Sequence, residues 1–232
     1  MCTAIAYKGN DLIYGFNLDI DPAVWNFSVR KTRSLFAIGI TVGKTTHYVH
    51  GVNSLGHFSN VPYMNGERFT AARGVRRERI DLLSDRYLRG VYTFEDVENI
   101  IHTKAVCSIP AATMHSLVGN EKGDFLIIEP GLGAKKVEEN FAVLTNFPVL
   151  TQLPDYMNPF YGKDRYDRAY AVLSKAGTDF SAADALELLH ETRQEGQWGT
   201  KVTFVYSANA NSVTYYLNGD IAHAEVHGFE LN

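Results

Sequence analysis

The sequence predicts an α+β sandwich, and two observations support this class. Runs of β-branched and aromatic residues between turn signals come in groups, so several strands follow one another before a helix intervenes. Stretches with helical spacing of apolar residues separate these groups. Grouped strands favour antiparallel sheets, whereas regular alternation of strand and helix would favour a parallel sheet. A chain of 232 residues suffices for a large core, and we expect residues 1–232 to form one domain.

The N-terminal segment is predicted to form a β-hairpin. Residues 3–7 and 12–16 are β-rich, and Gly9-Asn10 between them is a turn signal. Two antiparallel strands joined by a tight turn bring their outer ends together. We therefore expect Cys2 to lie close to Asn17-Leu18-Asp19.

The remaining elements are assigned from turn residues, capping residues and periodicity. Thr93 with Asp96 resembles a capping box, and Ser181 is expected to cap another helix. A basic stretch at residues 73–79 is expected to open a third helix, and residues 164–176 should form a fourth. Further strands are expected at residues 27–31, 35–42, 46–52, 113–118, 124–129, 141–144, 200–207, 213–217 and 222–226.

The composition is that of an ordinary globular protein, with 45% apolar and 21% charged residues. A net charge of −4 argues against a general binder of nucleic acid or of acidic membranes. No apolar run reaches the roughly 18 residues of a membrane-spanning helix, and no signal-peptide pattern is visible. The two cysteines, Cys2 and Cys107, do not suggest a disulfide framework, so we expect reduced thiols and a cytoplasmic protein.

Cys2 is the first candidate for catalysis. Removal of Met1 would leave Cys2 with a free α-amine beside its thiol. That amine has a reference pKa of about 7.7–8.0 and can act as a general base near neutral pH. One residue would then supply both nucleophile and base, as in N-terminal nucleophile enzymes. The alternative is that Cys2 is a small apolar side chain without a chemical role.

Five short stretches, taken in order, are the most informative motifs of the chain. They are Met1-Cys2-Thr3, Gly15-Phe16-Asn17-Leu18-Asp19, Gly51-Val52-Asn53 through Asn60-Val61-Pro62, Val143-Leu144-Thr145-Asn146-Phe147-Pro148, and Asp164-Arg165-Tyr166. Together they resemble the choloylglycine hydrolase family, which includes bile salt hydrolases and penicillin V acylases. Each stretch is short, so the specificity of the resemblance lies in their order.

The resemblance implies a four-layer αββα sandwich of the N-terminal nucleophile hydrolase type. It also implies an amidase that cleaves a linear, non-peptide amide bond in a small N-acylated substrate, without a cofactor or a metal. The implied roles are Cys2 as nucleophile, Asp19 as acceptor for the Cys2 amine, and Arg165 as the cation that stabilises nearby charge. Asn146 and Asn60 would donate hydrogen bonds to the tetrahedral oxyanion. Without the resemblance, both asparagines would be read as turn residues.

The sequence departs from the family pattern at two places. The family has an arginine three residues before its aspartate, where this chain has Phe16. Loss of that cation removes one influence that favours the thiolate form of Cys2, and Phe16 and Phe58 become candidate contacts for an acyl group. The segment between Asn146 and Arg165 is short where bile salt hydrolases carry an insertion associated with oligomer contacts. A homo-oligomer is therefore left open.

Three other functions are compatible with the sequence. His223, Glu225 and His227 alternate on a predicted strand and resemble a cupin-like metal site, although a solvated strand face explains the same pattern. His47 and His50 are three residues apart, so they should point to opposite faces of their strand. An acyltransferase would use the same acyl-cysteine intermediate. A non-catalytic relative would use the same fold to bind a small ligand.

Overall fold

The computed structural model describes residues 2–65, 69–70, 73–110, 112–151 and 162–230. The strands of these ranges are β1 (Cys2–Lys8), β2 (Leu12–Asp19), β3 (Asn26–Thr32), β4 (Leu35–Val42), β5 (Thr45–Asn53), β6 (Phe58–Asn60), β7 (Arg77–Arg79), β8 (Ala105–Cys107), β9 (Ser116–Gly119), β10 (Phe125–Glu129), β11 (Gly133–Lys136), β12 (Phe141–Leu144), β13 (Thr200–Ser207), β14 (Ser212–Leu217) and β15 (Glu225–Gly228). The α-helices are α1 (Ile80–Leu88), α2 (Phe94–Thr103), α3 (Lys163–Leu173) and α4 (Ala182–Glu191). None of these four helices is long and apolar enough to cross a membrane.

Two large antiparallel sheets form the centre of the molecule. The six-stranded sheet has the order β12-β1-β2-β13-β14-β15. The seven-stranded sheet has the order β11-β10-β9-β6-β5-β4-β3. The short strands β7 and β8 form a separate parallel pair. β1 and β2 therefore lie inside the six-stranded sheet, where each has a neighbour on both sides.

Alternation along the strands places side chains in different layers of core. On β1, Ala4 and Ala6 face the seven-stranded sheet, whereas Ile5 and Tyr7 face α3 and α4. Helices α1 and α2 pack on the outer face of the seven-stranded sheet, around residues such as Leu83. The order of layers is helices, sheet, sheet, helices. This order confirms the αββα sandwich that the resemblance implies.

The predicted β1–β2 hairpin is confirmed, and its register brings the candidate residues together. Cys2 pairs with the residue that precedes Asp19. β1 also pairs with β12 on its other side, with Ala4 opposite Leu144. Continuation of this antiparallel register beyond the end of β12 places Asn146 opposite Cys2.

Three predicted elements differ from the structure. The strand predicted at residues 113–118 begins only at Ser116, as β9. The basic stretch does not open a helix, because Arg77–Arg79 forms β7 and α1 begins at Ile80. β7 pairs with β8, a contact distant in sequence that local periodicity does not reveal. The last predicted strand is also wrong in its first half. Ile221–His223 forms a 3-10 turn, and β15 begins only at Glu225.

The prediction that His47 and His50 face opposite sides of β5 is wrong. A β-bulge at Val49 adds one residue to β5 relative to β4. His50 lies opposite Ile38, and His47 lies opposite Ile40. Because these two isoleucines share one face of β4, the two histidines share one face of β5.

Candidate active site

A cleft opens beside the N-terminal end of β1. Its empty volume, including the open mouth, is about 650 Å³. Concave sites with apolar walls and a few polar groups are the usual form of small-molecule sites. The polar residues of the wall are Cys2, Asp19, His47, His50, Tyr63 and Asp81. The apolar ones are Leu18, Ile20, Trp25, Ile40, Val49, Val61, Pro62, Ile109, Met114 and Trp198.

Cys2 lines this cleft although only 5% of its surface is exposed. Its main-chain nitrogen donates a hydrogen bond of 2.8 Å to Oδ1 of Asn146. Burial raises the pKa of the Cys2 thiol, and the positive charges of the N-terminus and, to a smaller extent, of Arg165 oppose this shift only in part. The thiol is therefore protonated at neutral pH, and its attack on a carbonyl group requires a base.

Arg165 connects α3 to the ends of two strands and to the Asn146 loop. Its side chain is 4% exposed. Nη1 donates hydrogen bonds to the carbonyl oxygen of Cys2 at 2.5 Å, to Oγ1 of Thr3 at 2.8 Å and to Oδ2 of Asp19 at 3.3 Å. Nη2 donates to Oδ1 of Asn146 at 2.8 Å. One guanidinium group thus holds the main chain at Cys2 and orients the side chains of Thr3, Asp19 and Asn146.

The position of the Arg165 side chain depends on Gly162, the N-cap residue of α3. Gly162 has φ = +79°, in the left-handed region that glycine adopts without a steric penalty. A Cβ atom at this position would overlap Nη2 of Arg165. Backbone conformation and available space therefore both require glycine here.

Asp19 is enclosed between two hydrogen-bond donors. Oγ1 of Thr200, which lies opposite Asp19 in the β2–β13 pairing, donates to Oδ1 at 2.5 Å. Arg165 donates to Oδ2. Burial raises the pKa of Asp19 to about 7, against the opposing effects of Arg165 and Thr200. Asp19 accordingly titrates close to neutral pH.

The side-chain amide of Asn146 has a defined orientation. Oδ1 accepts hydrogen bonds from Cys2 and Arg165, and Nδ2 donates to the carbonyl oxygen of Tyr63 at 2.6 Å. A flipped amide would set N–H groups against both of the donors. Tyr63 engages one of the two Nδ2 hydrogens, and the second has no acceptor within the described ranges.

The loop that carries Asn146 is anchored by a buried pair, His115 and Glu129. Nε2 of His115 lies 2.8 Å from the carbonyl oxygen of Thr145, and Nδ1 lies 3.2 Å from Oε1 of Glu129. Glu129 also accepts hydrogen bonds from two main-chain nitrogens farther along the loop, at 2.7 and 3.0 Å. The pair therefore holds the loop on both sides of Asn146.

Of the seven predicted site residues, Cys2 and Asp19 line the cleft and the other five do not. Asn146 and Arg165 are among these five, but both are hydrogen-bonded to Cys2. Asn60 is fully buried at the end of β6, where Nδ2 donates to a main-chain carbonyl of β9 at 3.2 Å. Its Oδ1 has no hydrogen-bond partner in the part of the chain that the structure describes. Phe16 and Phe58 are also fully buried, and they stack on His50 and Tyr14 respectively.

Several polar residues of the site are absent from the sequence-based prediction. His47 and His50 both line the cleft, and Nε2 of His47 lies 3.9 Å from Oδ2 of Asp81. Recognition of the bulge in β5 would have identified these two histidines as neighbours. Thr200 is 181 residues from Asp19, and no local pattern indicates that their strands pair.

The metal-binding alternative does not have the geometry that it requires. His223 lies in the 3-10 turn and bonds to Asp220, whereas Glu225 accepts a hydrogen bond from Lys31. His227 bonds to a main-chain oxygen of β3. No group of three histidine, cysteine or acidic side chains among the described residues is arranged to hold a metal ion.

Comparison with known proteins gives matches among solved structures. No protein-family model matches the sequence, and no curated protein matches it. A mutant of conjugated bile acid hydrolase from Clostridium perfringens has a TM-score of 0.66 at 11% identity, over 100% of this chain and 96% of that chain. Penicillin V acylase from Agrobacterium tumefaciens has a TM-score of 0.64 at 15% identity, over 94% and 83%. The Caenorhabditis elegans ortholog of N-acylethanolamine-hydrolyzing acid amidase has a TM-score of 0.56 at 15% identity, over 89% and 93%.

The fold is shared with these proteins. At identities of 11% to 15%, the likeness establishes architecture, and function has to be argued from the site. The matches confirm the αββα sandwich. They also bear out, at the level of the fold, the resemblance of the chain to the choloylglycine hydrolase family.

Proposed function

We propose that the protein is an amidase that hydrolyses a linear, non-peptide amide bond in a small N-acylated substrate through Cys2. The observation that carries this proposal is the hydrogen bond from the Cys2 main-chain nitrogen to Oδ1 of Asn146, beside a thiol in the wall of an apolar cleft. That nitrogen becomes the α-amine once Met1 is removed. Its bond to Asn146 then leaves the lone pair of the amine available for a proton.

The reaction would proceed through an acyl-enzyme. The α-amine of Cys2 accepts the thiol proton as the sulfur attacks the carbonyl carbon of the substrate. The C–N bond of the tetrahedral intermediate then breaks, and the amine gives its proton to the leaving nitrogen. Water, deprotonated by the same amine, attacks the thioester. The second tetrahedral intermediate releases the free acid and restores the thiol.

The second Nδ2 hydrogen of Asn146 is our candidate donor to the oxyanion. A preorganised side-chain donor of this kind typically lowers the barrier by about 2.7–4 kcal/mol. Asn60 is fully buried, does not line the cleft and has no hydrogen bond to Cys2 or Asn146, so we do not assign it the role of second donor. Asp19 and Arg165 would hold the Cys2 amine beside the thiol.

The composition of the cleft walls favours a substrate with an apolar acyl group. They are mostly hydrocarbon, and both tryptophans of the chain, Trp25 and Trp198, contribute to them. Removal of apolar surface from water contributes about 25 cal/mol per Å² to binding. We therefore place the acyl group of the substrate in the cleft, with its carbonyl carbon at Cys2.

The first test is the intact mass of the untagged protein, because the mechanism requires Cys2 to be the first residue. The processed protein is then incubated with N-acyl amino acids, penicillin V, acyl homoserine lactones and bile salts. We expect release of a free acid from at least one substrate, together with a transient mass increase equal to its acyl group.

Two cysteine variants complete this test. Cys2→Ala should abolish both the product and the mass increase, whereas Cys107→Ala, at the chain's other buried cysteine, should retain both. Turnover by Cys2→Ala would contradict the proposal. Diversion of the product from free acid to a new amide by an added amine would instead indicate an acyltransferase.

A further inference from the structure

His50 is a buried polar residue of the cleft wall that the proposed reaction does not use. It is 3% exposed, and its ring stacks on Phe16 with 4.4 Å between centroids and 19° between planes. The main-chain N–H of Val61 donates a hydrogen bond of 3.1 Å to Nδ1 of His50. The ring is therefore held from two directions, by stacking and by a hydrogen bond.

The hydrogen bond from Val61 determines the tautomer of the imidazole. Nδ1 accepts this bond and cannot carry a proton, so the ring hydrogen lies on Nε2. Burial lowers the pKa of His50 to about 3, which keeps the ring neutral over the whole working range of an enzyme. His50 thus presents a neutral N–H donor that does not change with pH.

Nε2 of His50 has no acceptor among residues 2–65, 69–70, 73–110, 112–151 and 162–230. His50 lines the cleft together with Cys2, and the neighbouring wall includes Ile40, Val49 and Val61. Nε2 is not one of the enclosed polar atoms that lack a partner, so it is open to the cleft and can be hydrated there. A ligand that displaces this water has to supply an acceptor in its place, because a donor that loses its hydration and gains no partner weakens binding. A ligand in the cleft is the group that can supply the missing acceptor.

We infer that His50 is a specificity-determining donor whose Nε2–H binds an oxygen atom in the acyl group of the substrate. This inference rests on the proposed function and narrows its substrate class. The substrates would be N-acyl amides whose acyl chain is largely apolar but carries one ether, keto or hydroxyl oxygen. A plain hydrocarbon chain would fill the same space and leave the His50 donor unsatisfied.

The test measures binding separately from catalysis. Cys2→Ala protein is titrated with anilides of hexanoic acid and of its isosteric oxa analogues, in which an ether oxygen replaces each chain methylene in turn. Tryptophan emission reports occupancy, because both tryptophans line the cleft. We expect at least one oxa analogue to bind roughly 10- to 100-fold more tightly than the hexanoyl anilide.

A matched pair of histidine variants assigns this preference to His50. In the same Cys2→Ala background, His50→Asn retains an oxygen that can accept from Val61 but lacks the distal donor, so it should bind all the anilides equally. His102→Asn alters an exposed histidine of α2 and should keep the full preference. The preference of the Cys2→Ala protein for an oxa analogue is measured without the His50→Asn variant. This part of the test therefore stands even when His50→Asn does not fold.

Three results would overturn the inference. They are equal binding of all the anilides to the parent protein, an unchanged preference in folded His50→Asn, and absence of binding by every analogue. Acylation of Cys2 in the processed wild-type protein is a separate measurement. The amidase proposal can therefore stand when the assignment to His50 fails, and the binding preference can stand when turnover is absent.

Discussion

At the scale of single residues, the site is built from buried polar groups that satisfy one another. Oδ1 of Asn146 accepts from both Cys2 and Arg165, and Arg165 also donates to Asp19. Removal of one member leaves the others buried without a partner, which costs more than the net contribution of the bond itself. Single substitutions here should therefore have effects on catalysis and on stability that can be measured separately.

Asn146→Ala should reduce kcat by about 100- to 1,000-fold, because it removes the proposed oxyanion donor. The measurement is the rate of acid release at saturating substrate, with thermal unfolding recorded to establish that the variant is folded. Asn140→Ala, at an exposed asparagine just before β12, is the matched control and should retain kcat. A folded Asn146→Ala that loses less than about tenfold would speak against the oxyanion role.

Asp19 should make the stability of the protein depend on pH. Burial raises its pKa from 3.8 to about 7 on folding, so between these values the folded state keeps a proton that the unfolded state has lost. The stability contributed by Asp19 is fully present below about pH 4 and is lost as pH rises through 7. Asp19→Asn cannot titrate, so its Tm should rise relative to wild type as pH increases across this window.

The measurement for Asp19 is the Tm of both proteins over a series of buffers. Glu187→Gln, on the exposed face of α4, is the control and should follow wild type at every pH. Parallel Tm curves for Asp19→Asn and wild type would show that burial does not raise the pKa of this carboxyl group.

At the scale of elements, the site lies where strand ends meet the start of a helix. Pairing of β1 with β2 and β12 brings Cys2, Asp19 and Asn146 together, and α3 then contributes Arg165 from its first turn. β1 is buried on both faces, so a slip of one residue would exchange its small side chains between the sheets, Ala4 and Ala6, with Ile5 and Tyr7, which face the helices. The start of α3 depends instead on the conformation of Gly162.

Gly162→Ala should both destabilise the protein and displace Arg165. A left-handed conformation costs an alanine about 1–2 kcal/mol, and the added Cβ would also overlap the guanidinium group. Gly196→Ala is a matched control, since Gly196 also has φ = +79° but a Cβ there would meet no atom within 4 Å. Urea unfolding should show that both variants are less stable than wild type. The rate of Cys2 acylation should be lost in Gly162→Ala alone. Normal acylation by Gly162→Ala would contradict this account.

At the scale of the whole molecule, three layers of core hold two sheets and two helix pairs together. The central layer lies between the sheets, and its side chains come from strands near both ends of the chain. The outer layers pack the helices against the outer faces of the two sheets. The long-range pairing of β2 with β13 makes the six-stranded sheet depend on the complete chain.

We predict that the chain of 232 residues unfolds as one domain. Scanning calorimetry should give a single transition in which the calorimetric enthalpy equals the van't Hoff enthalpy. Two separate transitions, or a calorimetric enthalpy well above the van't Hoff value, would contradict the assignment of one domain.

The sequence by itself indicated the sandwich class and the N-terminal hairpin, and both are confirmed, because strand-forming runs and turn residues are local properties of a chain. The resemblance to the choloylglycine hydrolase family indicated Cys2, Asp19, Asn146 and Arg165, which lie together in the structure and whose roles stay predictions. Helix caps are equally local, and the predicted capping box at Thr93 is present in the structure.

Only the tertiary structure decided which groups surround those four residues. The bulge at Val49 turns His47 and His50 to one face, and the pairing of distant strands sets Thr200 against Asp19. Packing between the sheets encloses Phe16, so that it supports His50 and does not line the cleft. The physical reason is that long-range strand pairing and close packing determine which side chains are neighbours across a sheet or a core. Local periodicity in the sequence encodes neither of them.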